Sequence, residues 1–242
     1  MLSLAQIAAT AELDKSAAQR FTYTLERLGY LHKEQETKRF ALTPRALDLG
    51  YHYLRASPIA ERAMPYLQEL SRTTEESVSL SVLDDTEIVY LVRFTSRFMV
   101  SSNVIVGTRL PAYCAAPGIA MLSRLPRAAS QDILQRSELR PYTAATTWRM
   151  PELLAKLEAT AVRGFAIAIE EIFPGDISLA AAITGVRGEP VGAVSLSVSH
   201  ARITPAAAER RFGPLVMETA HALSFHVLPA ADAPGPSGTH QQ

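Results

Sequence analysis

A single cysteine, Cys114, among 242 residues excludes an internal disulfide, so the fold has none of the covalent staples that small secreted domains use. No histidine or acid lies near it at metal-ligand spacing, and it reads as a small buried hydrophobe rather than a nucleophile. Long apolar runs are missing as well: none reaches the roughly 18 residues that a membrane-spanning helix needs. The chain does not open on a basic region followed by an apolar core, so a cytoplasmic protein with no membrane partner is expected. A net charge is absent too, 24 basic residues balancing 24 acidic ones. That excludes a generally polybasic nucleic-acid binder and leaves room for a local patch.

What is present is apolar content of 48% over a length that suits two modest domains. Up to Arg55, eight basic residues face six acidic ones. A surplus that small cannot argue for DNA binding, so the argument passes to pattern.

Ser3 followed by Gln6 is a capping-box signature, and Leu4, Ile7, Ala8 and Ala11 fall on one stripe of a short helix from Leu4 to about Thr10. Asp14 can cap a second helix, in which Ala17, Ala18, Phe21, Leu25 and Leu28 share one arc and Gly29 supplies a left-handed stop. On the opposite arc stand Ser16, Gln19 and Tyr23, flanked by Lys15, Arg20 and Arg27. Gln can make paired hydrogen bonds to adenine and Arg to guanine, while Ser, Tyr and Lys can hold phosphates. A solvated helix surface would carry the same residues, so this face alone leaves both readings open. The sequel favours DNA: Tyr30 to Lys33 and Lys38 to Leu42 read as two short strands, with Lys33, Lys38 and Arg39 placed to meet phosphate. Helix, turn, helix and basic hairpin together make a winged helix-turn-helix over residues 1–42.

Thr43 and Pro44 offer an N-cap and a proline at the first helical position, opening a linker helix over 43–56 with Leu47, Gly50, Tyr51 and Leu54 on a narrow stripe. Ser57 and Pro58 repeat the signal, and the helix after them carries Ile59, Ala63, Leu67 and Leu70, with a kink or late start expected at Pro65. From Ser77 the period becomes two, Val78, Leu80 and Val82 alternating with serines. A turn at Asp84 and Asp85, a strand over Ile88–Val92 and a third over Phe98–Val106 follow. Helices are expected from about Gly118 to Leu125, from Arg127 to Arg136 and from Pro151 to Val162. Further strands are expected over Phe165–Ile169, Leu179–Thr184 and Val191–Ser199. A closing helix starts at Thr204 and Pro205, bearing Phe212, Val216, Thr219 and Leu223 on one side. Hairpins without regular strand-helix alternation predict an α+β domain on an antiparallel sheet over 57–228, followed by a disordered tail, 229–242.

The segments LSLAQIAATAELDKSAAQRFTYTLERLGYL, FALTPRALDLGYHYL, GTRLPAYCAAPGIAML and GEPVGAVSLSVS resemble the isocitrate-lyase-regulator (IclR) family of bacterial transcription factors. The phrases AAQRF, LGYHYL and RLPAYC are most similar to the branch that controls aromatic-acid and β-ketoadipate catabolism. The resemblance runs to about Val227. It implies a winged helix-turn-helix joined to a ligand-sensing domain of GAF-like shape, acting as a homodimer or homotetramer on a double-stranded DNA operator. It also implies a helix before LSLAQIA that supports the recognition helix. The sequence starts two residues before Ser3, so a start codon further upstream is expected. Without that support Phe21, Leu25 and Leu28 are left partly exposed, at about 1.5 to 3 kcal/mol for each large side chain uncovered.

The resemblance places an effector pocket on the sheet under RLPAYCAAPG. It assigns to that pocket Met99 and Ser102, Leu110, Ala116, Pro117 and Gly118, Asp176 and Ser178, and Ser195 and Ser197. Serines two apart on a strand share a face, and free N–H groups at a helix start near Gly118 can hold a carboxylate. A small organic acid, with aromatic acids among the candidates, is the expected effector; no metal or cofactor is expected. Asp176 fits poorly, since a carboxylate there would repel an anion unless it turns outward or shifts the preference to another ligand.

An enzyme has little support. Glu170 and Glu171, as strand neighbours, would face opposite ways, and His32, His52, His200, His221, His226 and His240 form no recognisable catalytic setting. The competing reading is a GAF-like ligand-binding protein that has lost DNA contact and acts through partner subunits.

Overall fold

The computed structural model describes residues 1–98 and 104–224. The chain divides into two compact units, Met1–Ser57 and Pro58–Gln242. Met99, Ser102 and the expected tail lie outside the described residues.

In the first unit, helix α1 (Leu4–Thr10) opens with the expected reciprocal cap, Ser3 accepting from the Gln6 amide and Gln6 from the Ser3 amide. Helix α2 (Lys15–Arg27) begins where Asp14 Oδ1 accepts from the Ala17 amide at 2.8 Å. It stops because Gly29, at φ +79°, turns the chain left-handed. The Gly29 and Tyr30 amides then bond back to the Glu26 and Leu25 carbonyls, satisfying the last helical acceptors. Strands β1 (Leu31–Lys33) and β2 (Phe40–Leu42) pair antiparallel, shorter than the sequence predicts. Leu2 adds an isolated bridge by exchanging two backbone bonds with Phe40, which the sequence does not announce.

Helix α3 (Ala46–Ala56) starts two residues later than Thr43 and Pro44 predict. The Thr43 hydroxyl donates to the Gly29 carbonyl at 2.5 Å, tying the wing to the end of α2 while also receiving the Arg45 amide. No residue of α3 is buried in this unit; Leu47 is 75% exposed.

The second unit is a six-stranded sheet in the order β5-β4-β3-β8-β7-β6, antiparallel throughout. Its strands are β3 (Ser77–Asp84), β4 (Glu87–Phe94), β5 (Arg109–Pro111), β6 (Ala166–Ile169), β7 (Asp176–Thr184) and β8 (Pro190–Ser199). The strand expected over Phe98–Val106 is not seen in its described part; the third strand is β5, where Arg109, Leu110 and Pro111 pair with Val89, Ile88 and Glu87. β7 begins three residues before the predicted Leu179.

One face of the sheet carries α4 (Pro58–Thr74) and α8 (Pro205–Ser224). Ile59, Ala63, Leu67, Leu70, Phe212, Val216 and Leu223 are all buried there. That burial, about 1.5 to 3 kcal/mol for each large side chain, lets α4 continue through Pro65, which removes one helical hydrogen bond. The other face carries α5 (Ala116–Leu122) and α7 (Met150–Arg163), with α6 (Arg127–Arg136) beside them. α5 starts two residues before the expected Gly118, with Pro117 in its first turn.

Candidate functional site

Two regions gather the residues that the sequence singles out. On α2 the hydrophobic arc is only half used: Ala17, Ala18 and Thr22 are buried, but Phe21 is 60% exposed, and Leu25 and Leu28 are exposed too. On the opposite arc Lys15, Ser16, Gln19, Arg20, Tyr23 and Arg27 are all exposed, Tyr23 at 62%. Arg20 Nη1 donates to Ser16 Oγ at 3.0 Å, which pre-sets the guanidinium along the helix surface. Lys38 and Arg39 are exposed at the wing, where Lys38 takes a left-handed φ of +55° to close the turn. The geometry therefore provides an unobstructed helix face with a basic hairpin in the same unit, as duplex recognition requires.

The second region is a pocket on the α5 face of the sheet, enclosing about 620 Å³ of unfilled space with its open mouth included. Of the predicted effector residues, Leu110, Ala116, Pro117, Asp176, Ser178 and Ser197 line it. Ser178 and Ser197 sit opposite each other on β7 and β8 and share a hydrogen bond of 2.6 Å.

Two predicted positions do not line the pocket. Ser195 lies deeper along β8, buried opposite Ser79 and Ala180. Gly118 is a packing residue: a Cβ there would stand 2.2 Å from the Ala112 carbonyl oxygen, so only glycine lets α5 approach that backbone. A carboxylate site at Gly118 is therefore not what the structure offers, and α5 is only seven residues long.

The pocket's arginine went unpredicted. Arg93 lies on β4 opposite Ser79, its Nη1 donating to Ser79 Oγ at 3.1 Å while its Nε is buried without a partner. Burial pushes its guanidinium below the usual arginine value. Tyr90, three residues earlier, also lines the pocket. Strand alternation alone would send residues three apart to opposite faces. The register shift between Leu80 and Ser81, which leaves Leu91 unpaired, restores both to the serine-bearing side. The only trace in the sequence is an arginine inside the apolar run of β4.

Asp176 does not turn outward; it lines the pocket at the start of β7. Burial raises its carboxyl to about 7, against a smaller opposing pull from Arg93. Burial likewise pushes the Tyr90 phenol and the Cys114 thiol up to about 12, so both are neutral hydrogen-bonding groups and Cys114 is no nucleophile. Glu170 and Glu171 are not strand neighbours, since β6 ends at Ile169. Glu171 is buried against Lys156 and accepts from the Thr147 amide, while Glu170 meets His200 Nδ1 at 2.6 Å. His200 therefore has a defined setting that spacing did not reveal. Among the described residues no cluster of His, Cys, Asp and Glu could hold a metal.

The raised Asp176 carboxyl predicts a pH dependence. Between its ordinary 3.8 and about 7, the folded chain keeps a proton that the unfolded chain has released. Stability therefore falls as pH rises through that window. Asp176→Asn removes the effect: urea unfolding is expected to show the variant gaining on the parent by up to about 4 kcal/mol from pH 4 to pH 7. A constant gap would contradict it.

The family model described as "Bacterial transcriptional regulator IclR C-terminal" matches residues 51–225, and that for the IclR helix-turn-helix domain matches residues 1–35. The chain is similar to the Pca regulon regulatory protein of Pseudomonas putida, 30% identical over 94% of this chain and 78% of that one. It is 28% identical to the transcriptional repressor IclR of Escherichia coli strain K12, over 90% of this chain and 80% of the repressor. A solved Rhodococcus sp. RHA1 structure, assigned as a transcriptional regulator, is 34% identical with a TM-score of 0.76, covering 93% of this chain and 89% of its own.

Proposed function

The chain belongs to the IclR family of bacterial transcriptional regulators, and from that membership we propose that it reads an operator through the outer face of α2 under control of a small organic acid. The helix-turn-helix and the C-terminal effector domain are those of the family. The nature of the effector rests on one observation: a half-buried arginine in the pocket wall, Arg93, whose Nε has no partner. A planar guanidinium in a pocket wall matches a carboxylate. Tyr90, Val104, Leu110, Ile172 and Phe173 give the rest of the pocket an apolar and aromatic lining, which suits an acid with an apolar or aromatic body. Similarity to a Pca regulon regulator points the same way.

Control also needs two arrangements of the protein that differ in acid affinity. We place the second copy of this chain on α3, whose Leu47, Leu49, Tyr51 and Tyr53 are exposed in a single copy. A homo-oligomer is thus part of the proposal.

Ser197→Trp is expected to fill the pocket and abolish stabilisation by small carboxylates in a thermal-shift assay. Affinity for the duplex upstream of the protein's own gene should be unchanged. Retained carboxylate binding would move the effector elsewhere.

A further inference from the structure

On the reading that this pocket receives an organic acid, we propose that the acid binds together with one proton, carried in the complex by the carboxyl group of Asp176. The argument is a count of charges in a closed space. Arg93 and Asp176 face the same pocket and feel each other's charge, yet they do not pair. Arg93 gives Nη1 to Ser79 and leaves Nε unused, while the Asp176 side chain accepts no hydrogen bond from a described residue.

The other titratable groups around Asp176 do not change the count. Tyr90 on β4 and Cys114 before α5 are neutral, Glu171, in the loop after β6, is already matched by Lys156 of α7, and Glu170, whose amide donates to the Asp176 carbonyl, has its carboxylate against His200 at the end of β8. One positive charge, Arg93, must therefore serve any anion that enters.

An effector carboxylate arriving beside ionised Asp176 would set two negative charges against that single guanidinium, in a site with little water to screen them. Both side chains are partly withdrawn from solvent there. Protonation removes the repulsion and converts Asp176 from a rival for Arg93 into a hydrogen-bond donor. Burial already holds the carboxyl at about 7, so the proton is available near neutral pH. Asp176 thereby becomes the residue that makes the regulator's effector response depend on pH: above about pH 7, affinity should fall about tenfold for each further unit.

Calorimetric titration of the full chain with benzoate, phenylacetate and pyruvate tests this, at about pH 6 and about pH 8, in buffers of differing ionisation enthalpy. The expected result at the higher pH is uptake of close to one proton per acid bound by the parent protein. Asp176→Asn, whose amide can also donate, should bind with the same affinity at both pH values and no uptake. The proton count on the parent alone decides the matter should the variant fold poorly. Binding that depends on Arg93 but takes up no proton would overturn this inference and leave the proposed function standing. Failure of all three acids to bind at either pH would overturn both.

Discussion

Gly118→Ala is expected to unfold the C-terminal unit or destabilise it by at least about 3 kcal/mol, far more than a buried methyl group ordinarily costs. The added Cβ would meet three backbone atoms of Ala112, at 2.2, 2.4 and 2.7 Å, and backbone cannot rotate away as a side-chain tip can. α5 is buried at every position from Ala116 to Leu122 and gives Ala116 and Pro117 to the pocket wall. Pushing it outward would open both the core and the site. Denaturant unfolding of the variant, read from Trp148, checks the magnitude. A loss below about 1 kcal/mol, the ordinary scale of a point substitution, would mean that α5 can shift without cost and that its approach to Ala112 is loose.

Arg93→Leu should have an effect of the same order on a different quantity. Charge-assisted hydrogen bonds contribute about 1.5 to 3 kcal/mol each, so loss of the guanidinium should weaken binding of a carboxylate effector by a factor on the order of 100. Stability should not follow it down. A desolvated cation with an unpartnered Nε is a cost to the folded unit, and an apolar side chain of similar reach relieves it. Weaker binding with equal or higher unfolding free energy is therefore the signature of a residue kept for its ligand. If affinity and stability fell together, Arg93 would be structural, and the carboxylate reading of the pocket would lose its support.

The elements were legible wherever local chemistry decides them. Ser3 with Gln6, Asp14 and Gly29 marked both helices of the DNA-reading motif because caps and left-handed stops are satisfied within a few residues of chain. The serine alternation around Val78 and Leu80 announced β3 for the same reason. Long-range partners were what sequence could not supply. Thr43 looks like a helix cap until the Gly29 carbonyl, fourteen residues away, takes its hydroxyl. Gly118 looks like an anion cradle until Ala112 is seen against it. Arg93 could not be placed at all, because its face depends on a bulge at Leu91 that only pairing with β3 creates. Ser178, Ser197 and Asp176 were thus named among the residues that line the pocket, while its arginine was missed.

Fluorescence-anisotropy titration of the upstream duplex across a salt series, with the parent chain and with Arg20→Ala, tests the central claim most directly. That claim is that α2 presents Ser16, Gln19, Arg20 and Tyr23 to DNA. The account predicts salt-dependent binding by the parent, and weaker binding by Arg20→Ala with a log-log salt slope smaller by about 1. Affinity that does not respond to salt, or an Arg20→Ala titration that overlays the parent's, would contradict it and point to a protein that acts through partner subunits instead.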